Sequence, residues 1–309
     1  MNLIDIKNRL TELAVSGAIE LIENALLKDY SSFRIGGPAD LLIRPKTPDA
    51  LMDVIRLLDD AGYPFKVFGN ASNILFSDEG YRGAAIFTTE MQGYEVSGNC
   101  ITAAAGMSFT LLSAKARDHG LSGLEFAYGI PGTVGGAIYM NAGAYGGTVS
   151  DHLISSLAYD PQNHNVKMIN GVEKHSFDYR HSCYMENGYI ILSGTFSLVN
   201  GEYEAINAKM KEHMDSRRTK QPLEYPSAGS VFKRPTGYFA GKLIEDAGLK
   251  GYLVGDAQVS EKHAGFIINR GNATAKDVCD LIEHIQKTVS RQFGVDLETE
   301  IIRLNSRGE

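Results

Sequence analysis

Apolar residues recur with helical spacing in some parts of the chain and form short unbroken runs in others. The first 27 residues have a mixed polar and apolar pattern that predicts a helical lead-in, ended by the run at 21–27. From about residue 39 the pattern predicts a strand, a helix and a second strand, with apolar runs at Leu41–Ile43 and Pro64–Phe68. This alternation is typical of mixed α and β structure.

The helix predicted between these two strands carries its own start and stop signals. Thr47 stands where an N-cap is expected, Pro48 follows at the first helical position, and Gly62 stops the helix. Its apolar face is formed by residues at helical spacing, namely Leu51, Val54, Ile55 and Leu58.

The middle of the chain, about 84–200, is predicted to be rich in strands and in glycine. One helix interrupts it, with Ser108 as the N-cap and Gly120 at the end. A polar, basic stretch at 211–220 follows and predicts a domain boundary near residues 200–220.

The last third of the chain returns to helices and strands. The pattern predicts a short helix at 240–249 and a longer one that Thr274 caps and Gly294 closes. The chain ends on a strand-like run at 297–302.

Composition narrows the class of protein. Hydrophobic residues are 43% and charged residues 22%, which is enough for a packed core and argues against a disordered chain. The net charge of −7 argues against a nucleic-acid partner. No apolar run is long enough to span a membrane, and no secretory signal is expected at the N-terminus. Three scattered cysteines and eight scattered histidines predict neither disulfides nor a metal site, and a reducing cytoplasm is the expected compartment.

Two glycine-rich segments are candidates for ligand binding. Gly69–Asn73 follows a predicted strand, and its small residues either form a phosphate-binding nest or an ordinary turn. Gly129–Gly146 is the densest glycine segment of the chain, which favours backbone contacts to an extended cofactor over a series of turns. It lacks the Gly-x-Gly-x-x-Gly pattern of a plain dinucleotide-binding helix.

Five polar residues are candidates for chemistry, each with a structural alternative. Arg180 offers a guanidinium fork to a carboxylate or an oxyanion, or forms a surface ion pair. Ser230 follows a glycine in a small-residue turn and is either a hydroxyl proton donor or a turn serine. Lys262 and His263 precede an apolar strand, where they line a site wall or a buried histidine packs in the core. Glu300 is either functional or a solubilising charge on an edge strand.

These features stand in one order along the chain, and that order resembles the UDP-N-acetylenolpyruvoylglucosamine reductase family. The resemblance covers nearly the whole chain, from about Ser32 to Ile302. The segments that carry it are Phe33–Ala39, Gly69–Asn73, Gly129–Gly146, Tyr179–Ser182, Ser227–Pro235, Ala240–Gly251, Val259–Asn269 and Leu297–Ile301.

The resemblance implies an α+β fold. It consists of an FAD-binding fold of the vanillyl-alcohol-oxidase type in two lobes, followed by a C-terminal α/β substrate-binding domain. The implied boundaries are 1–83 and 84–201 for the lobes and 202–309 for the substrate-binding domain, with the last strand able to return to the first lobe.

The resemblance also assigns residues. Non-covalent FAD is implied at Arg34, Gly69, Asn70, Ala71, Ser72, Asn73, Gly129, Gly132, Thr133, Gly135, Gly136, Ala137, Asn141, Ala142 and Gly143. The implied catalytic residues are Arg180, Ser230 and Glu300, and the implied substrate-binding residues are Tyr179, Lys220, Lys233 and Arg234.

The implied reaction belongs to peptidoglycan precursor synthesis. NADPH reduces FAD, which passes hydride to the enolpyruvyl group of a UDP-sugar to give UDP-N-acetylmuramate. Arg180 stabilises the developing charge, Glu300 polarises the same group, and Ser230 gives the proton. A cytoplasmic monomer with only these small-molecule partners is expected.

Two positions depart from the family pattern, and one alternative stays open. Ala71 stands where a second glycine is usual, and Asp256 where glycine is common. The short segment between Tyr179 and Tyr203 places the chain in the subgroup without an extra loop, called type II. The alternative is an FAD-dependent sugar or alcohol oxidase of the same fold, which would share the flavin segments but not the three catalytic residues.

Overall fold

The structure is a computed structural model that describes residues 3–308, with side chains from residue 5. The helices are α1 (Leu3–Val15), α2 (Pro48–Asp60), α3 (Phe109–Asp118), α4 (Val134–Tyr139), α5 (Tyr184–Asn187), α6 (Tyr203–Lys220), α7 (Ala240–Asp246) and α8 (Ala275–Phe293). The strands are β1 (Ile19–Leu26), β2 (Pro38–Pro45), β3 (Phe65–Phe68), β4 (Ile74–Phe76), β5 (Tyr81–Phe87), β6 (Tyr94–Ser97), β7 (Cys100–Ala104), β8 (Leu121–Ser122), β9 (Gly143–Ala144), β10 (Gly147–Thr148), β11 (Leu153–Asp160), β12 (Asn165–Asn170), β13 (Ile190–Ser197), β14 (Val199–Asn200), β15 (Leu253–Val254), β16 (Ala257–Val259), β17 (Ile267–Asn269) and β18 (Ile302–Leu304).

The chain forms two compact units, each assembled from segments that are distant in sequence. Unit 1 contains the chain up to Glu23, Leu41–Asn70 and Gly83–Asp215. Unit 2 contains Asn24–Asp40, Ala71–Arg82 and the chain from Ser216 onward. The three-part division predicted from the family resemblance, 1–83, 84–201 and 202–309, stays a prediction.

Unit 1 has two hydrophobic clusters. One joins α1 and α2 to the sheet with strand order β1-β2-β5-β3, through fully buried residues such as Leu10, Leu51 and Ile86. The other packs α3 and α4 on the antiparallel sheet β12-β11-β13-β7-β6, where the rings of Phe126 and Phe196 flank Phe109. The apolar residues of α1, α2 and α3 recur at about 3.6-residue spacing, so each of these helices packs one face on its sheet.

Unit 2 has one hydrophobic cluster, centred on α8. The apolar stripe of this helix packs with the small antiparallel sheet β15-β16-β17. The last strand, β18, pairs in parallel with β4, in the register Ile302 to Ile74. The carboxylate of Asp78 accepts hydrogen bonds from the amides of Ala275 and Lys276, so this loop satisfies the first turn of α8.

The helix boundaries predicted from capping residues are confirmed. The side chain of Thr47 accepts a hydrogen bond from the Ala50 amide, and Ser108 does the same for Leu111. Thr274 and Asp277 form a reciprocal capping box at the start of α8, and Gly294 ends it with φ +66°.

The predicted helical lead-in over residues 1–27 is wrong in its second half. Helix α1 ends at Val15, Gly17 turns the chain with φ +79°, and Ile19–Leu26 forms strand β1. The run at 21–27 therefore belongs to a strand and does not end a helix. The reason is tertiary, because β1 gains its hydrogen bonds from β2.

Two further differences concern the last third of the chain. The division between the two units falls after Asp215, inside the predicted boundary region 200–220, but the stretch at 211–220 belongs to an 18-residue helix, α6. Its buried residues stand at helical spacing but include His213 and Arg217 beside Ile206 and Met210, so the pattern does not read as apolar. The strand-like run at 297–302 is a regular strand only from Ile302 onward.

Candidate active site

In unit 1, Gly69 and Asn70 at the start of the first glycine-rich segment lie against the second glycine-rich segment. A β-carbon added to Gly69 would lie 2.3 Å from Oγ1 of Thr133. The side-chain amide of Asn70 donates to the carbonyl of Pro131 at 2.6 Å. A side chain at position 69 would collide with Thr133, so glycine at this position allows the first turn to lie close to the second segment.

The second segment contains a short helix rather than turns alone. Thr133 caps α4, its Oγ1 accepting from the Gly136 amide at 3.2 Å. The amide of Gly135 donates to the carbonyl of Ala105 at 2.8 Å, and a β-carbon on Gly135 would come within 3.0 Å of the Ala105 methyl group. These glycines therefore allow α4 to pack closely on the loop after β7.

Asn141 connects this segment to the turn that contains Arg180. Its side chain is buried and its backbone has φ +40°, a conformation that asparagine tolerates. The side-chain amide donates to the carbonyl of Asp178 at 3.0 Å, and its oxygen accepts from the Ser150 amide at 3.0 Å. Ser182 adds a second link by donating its hydroxyl hydrogen to the carbonyl of Tyr139 at 2.7 Å.

The turn itself presents Arg180 in an uncommon backbone conformation. Asp178 and His181 exchange two main-chain hydrogen bonds across the turn, and Arg180 has φ +56°. Its guanidinium lies 5.0 Å from the centre of the Tyr179 ring, within cation–π range. A non-glycine residue with this φ is strained, and strain of this kind concentrates at functional positions.

A buried polar chain supports the residues that flank this turn. His175 Nδ1 lies 2.8 Å from the Gly171 carbonyl, which can only accept, so Nδ1 carries the proton. Nε2 then accepts from the Ser156 hydroxyl at 2.7 Å, and Ser156 in turn accepts from the Tyr184 hydroxyl. Burial lowers the pKa of His175 and raises the pKa of Tyr184 to about 12, so both are neutral at pH 7.

In unit 2, Ser230 and Glu300 lie on neighbouring segments joined by Val231. The carbonyl of Val231 accepts from the Glu300 amide at 2.7 Å. Phe232 forms a β-bridge with Thr299, and the Lys233 amide donates to the carbonyl of Glu298 at 2.8 Å. The structure thus brings together two residues that lie 70 positions apart in the sequence.

The predicted cofactor residues of unit 2 connect to the same backbone. The side-chain amide of Asn73 donates to the carbonyl of Glu300 at 3.1 Å, and its own carbonyl accepts from the Ile302 amide at 2.9 Å. Ala71 is buried, with φ +44°, where the family pattern has glycine. Arg34 is exposed and lies in a loop in which the Ser32 hydroxyl donates a hydrogen bond to the carbonyl of Ser227 at 2.8 Å.

The predicted substrate-binding cations have different surroundings. Lys220 is exposed at the last residue of α6. Lys233 forms an ion pair with Glu298 at 2.5 Å, and the guanidinium of Arg234 lies 4.0 Å from the centre of the Phe239 ring. The charge of Lys233 is therefore already partly balanced.

Sequence reasoning missed two buried polar residues that shape these regions. Asn269 at the end of β17 donates to the carbonyls of Phe33 and Arg34 at 3.2 and 3.4 Å, and so holds the Arg34 loop. The sequence pattern does not predict His175 as a site residue. The only signal for either was a polar side chain beside an apolar strand or a glycine, which is too common to be specific.

Residues 3–308 contain no helix that is both long and apolar enough to cross a membrane. No three histidine, cysteine, aspartate or glutamate side chains in the same range come together as a possible metal-binding group.

Comparison with known proteins assigns both parts of the chain. The model of an FAD binding domain matches residues 39–167, and the model of the UDP-N-acetylenolpyruvoylglucosamine reductase C-terminal domain matches residues 221–304. The chain is 45% identical over 298 residues to the UDP-N-acetylenolpyruvoylglucosamine reductase of Clostridium novyi, covering 96% of each protein. It is 48% identical over 294 residues to that of Caldanaerobacter subterraneus, covering 95% of this chain and 96% of the relative.

The chain belongs to the UDP-N-acetylenolpyruvoylglucosamine reductase family.

A solved structure agrees with this family assignment. The crystal structure of UDP-N-acetylenolpyruvylglucosamine reductase from Thermus caldophilus is 36% identical, with a TM-score of 0.78, and the match covers 92% of this chain and 98% of that one. The predicted α+β fold, with an FAD-binding fold of the vanillyl-alcohol-oxidase type and a C-terminal reductase domain, is confirmed.

The residues present fit FAD, the cofactor of the family's FAD binding domain. Gly69, Asn70 and Gly129–Gly143 all fall within residues 39–167. Gly69 approaches Thr133 too closely to carry a β-carbon, so the two segments meet through small residues and backbone, and backbone groups of such turns suit a phosphate-bearing cofactor. Ser230 and Glu300 fall within the C-terminal domain, and Arg180 lies between the two matched ranges.

Proposed function

We propose that this chain is the NADPH-dependent flavoenzyme that reduces the enolpyruvyl group of UDP-N-acetylenolpyruvoylglucosamine. The product is UDP-N-acetylmuramate, for peptidoglycan precursor synthesis. The observation that carries the proposal is the backbone link from Glu300 to Val231, the residue after Ser230, within a domain that matches the reductase family. An oxidase of the same fold would not need a proton donor and a carboxyl group held together in this way.

FAD is held by the residues that the family resemblance assigns to it. These are Arg34, the turn Gly69–Asn73 and the segment Gly129–Gly143, whose backbone amides suit the pyrophosphate. Bound FAD supplies the hydride for the enolpyruvyl group. The chain supplies binding, orientation, charge and a proton.

Arg180 stabilises the negative charge that develops when hydride reaches the enolpyruvyl group. Its guanidinium is a fixed fork that matches a carboxylate. Two bonds from Asn141 and Ser182 hold the turn in place before substrate arrives, so little reorganisation is needed. Glu300 polarises the same carboxylate group from its position beside Val231.

Ser230 gives a proton from its hydroxyl group to the carbon next to the one that receives hydride. Its backbone is fixed on one side by a β-bridge to Phe266, and the following residue, Val231, bonds to Gly265. A proton donor must lie within hydrogen-bond reach of the reacting atom, and this fixed backbone supports such placement.

Cations assigned to the substrate suit a UDP-sugar, which carries a diphosphate. Lys220 is an exposed ammonium group at the end of α6, and Arg234 is a guanidinium group stacked on Phe239. Tyr179 and Lys233 complete the set. We further propose that the enzyme is a cytoplasmic monomer of the type II subgroup.

An anaerobic two-step experiment with a serine variant tests this function. The flavin is first reduced with one equivalent of NADPH, and the enolpyruvyl substrate is then added while flavin absorbance is followed. Wild-type protein is expected to reduce with NADPH and reoxidise rapidly with substrate. Ser230→Ala is expected to reduce normally and to reoxidise at least about 100-fold more slowly.

Ser227→Ala is the matched control, because it removes a hydroxyl three residues away. The main-chain amide and carbonyl of residue 227, which bond to Ser32, are unchanged by this substitution. It is expected to behave as wild type. Wild-type flavin that reduces but stays reduced with substrate would reject the substrate assignment. A Ser230→Ala protein that reoxidises at the full rate would reject the proton-donor role.

A further inference from the structure

The backbone that carries Ser230 is held by a tight turn at residues 260–266. The amide of Val231 donates to the carbonyl of Gly265 at 2.9 Å, and Ser230 forms a β-bridge with Phe266. The carbonyl of Val231 accepts a hydrogen bond from the Glu300 amide. A single short ladder, Gly265 to Val231 to Glu300, therefore determines where both proposed catalytic side chains begin.

His263 supports the turn from inside. Its Nδ1 accepts a hydrogen bond from the Gly265 amide at 3.1 Å, and its carbonyl accepts from the Phe266 amide at 2.9 Å. The Ser260 hydroxyl oxygen accepts from the His263 amide, which closes the turn on its other side. The same residue of the turn, Gly265, thus bonds to His263 through its amide and to Val231 through its carbonyl.

The ring of His263 lies where its protonation affects this contact. A β-carbon on Gly241 of α7 would lie 3.2 Å from its Cε1, and the Phe266 ring packs edge-on at 5.0 Å between centroids. Because Nδ1 accepts from an N–H group, the neutral ring carries its proton on Nε2. A second proton would have to sit on Nδ1 and would remove the acceptor for Gly265.

Burial is the main reason why the pKa of His263 is lowered, with a smaller contribution in the same direction from Lys250. Glu245 of α7 acts in the opposite direction and forms an ion pair with Lys250 at 3.0 Å. On its own turn, Lys262 forms an ion pair with Glu224 at 3.3 Å. His263 is therefore neutral at pH 7 and available as an acceptor.

We propose that His263 is a positioning residue whose unprotonated Nδ1 fixes the Gly265 backbone and thereby holds Ser230 for proton delivery. The proposal rests on the proposed function of Ser230. It assigns to the turn before β17 a role in the substrate-reducing step and none in flavin reduction by NADPH.

Two variants at one position separate this role from a general effect on folding. His263→Asn keeps an acceptor for the amide two residues ahead, because asparagine forms this bond in Asx turns. His263→Leu keeps bulk and loses the acceptor. We expect His263→Leu to reoxidise with substrate about 10- to 100-fold more slowly than wild type, and His263→Asn to stay within about threefold.

The half-reaction, the pH profile and the backbone give three further readouts. Flavin reduction by NADPH is expected to be the same in all variants. The wild-type reoxidation rate is expected to fall at acidic pH as His263 is protonated, and this fall is expected to be absent in His263→Asn. Hydrogen exchange of peptides covering 230–232 and 264–267, without substrate, is expected to be faster in His263→Leu only.

One control variant and one replacement variant complete the experiment. His284→Asn changes another histidine of unit 2, one that stacks on Tyr252, and is expected to match wild type. If His263→Leu does not fold, His263→Gln replaces it, because its acceptor lies further along the side chain. A folded His263→Leu protein with wild-type reoxidation and exchange would overturn the proposal.

Failure of the proposed function would give a different result. Wild-type flavin would then stay reduced with substrate, while the exchange experiment would still decide whether His263 holds the Gly265 backbone.

Discussion

The side-chain amide of Asn141 donates a hydrogen bond to the main-chain carbonyl of Asp178, with a nitrogen-to-oxygen distance of 3.0 Å. This bond joins the glycine-rich segment after α4 to the turn that presents Arg180. Asn141 is thus more than one of the predicted cofactor residues, because the position of Arg180 depends on it. We expect its loss to affect catalysis before it affects flavin content.

Asn141→Asp tests this bond while keeping the side chain's shape. The variant retains the acceptor for Ser150 but places a carboxylate oxygen against the Asp178 carbonyl. Loss of a part-buried hydrogen bond costs about 0.5–1.5 kcal/mol. We expect flavin reoxidation by substrate to slow by about 2- to 10-fold, measured by stopped-flow absorbance. Asn141→Gly, which accepts φ +40° freely, is the backbone control, and a folded Asn141→Asp protein with the wild-type rate would contradict the role.

Gly69→Ala tests the close approach of the two glycine-rich segments. The added methyl group would lie 2.3 Å from Oγ1 of Thr133, which cannot move freely because it caps α4. We expect lower flavin content after purification and a lower melting temperature. The single variant Thr133→Ala and the double variant complete the cycle, in which the double variant should retain more flavin than Gly69→Ala. Wild-type flavin content in Gly69→Ala would show that the methyl group is accommodated.

Arg180→Lys and Arg180→Ala separate charge from shape. Lysine keeps a positive charge without the guanidinium fork, whereas alanine loses both. We expect the reoxidation rate to fall by about 100- to 1,000-fold in Arg180→Ala, as when one preorganised donor is removed, and less in Arg180→Lys. Both variants should bind FAD and be reduced by NADPH. Equal losses in the two variants would mean that charge alone contributes little.

His175 predicts a pH dependence of folding stability. Because its pKa in the folded chain is lowered below the ordinary 6.5, the unfolded chain binds this proton and the folded chain does not. The free energy of unfolding should therefore fall as pH decreases below about 6.5. His175→Gln should be less stable than wild type at pH 7.5, and the difference should shrink by pH 5.5 in urea unfolding. A difference that does not change with pH would show that His175 does not titrate differently on folding.

Local signals in the sequence predicted the ends of several helices, but they did not predict elements that depend on contacts with distant parts of the chain. Thr47, Ser108 and Thr274 cap helices because a side-chain oxygen can satisfy an amide three residues ahead, which is a property of sequence alone. The segment 19–26 failed this reasoning, since its strand depends on pairing with β2. Helix α6 failed it because His213 and Arg217 occupy buried positions of its stripe.

The candidate residues were found in sequence as separate motifs, and their roles came from the family resemblance. Arg180, Ser230 and Glu300 each had an ordinary structural alternative when taken alone. No spacing in the sequence indicates that Val231 lies between two partners, Gly265 and the amide of Glu300. His175 and Asn269 carry no specific signal in the sequence, because a buried polar residue can be recognised only from the groups that it bonds in the folded chain.

The sequence by itself determined the family and the caps that begin the helices. These depend on residue type and on neighbours within a few positions. Only the tertiary structure decided which carbonyl Asn141 would bind, and which segments Val231 would join. Such contacts link residues more than 30 positions apart, and their partners are backbone groups that every residue possesses, so no residue type could reveal them.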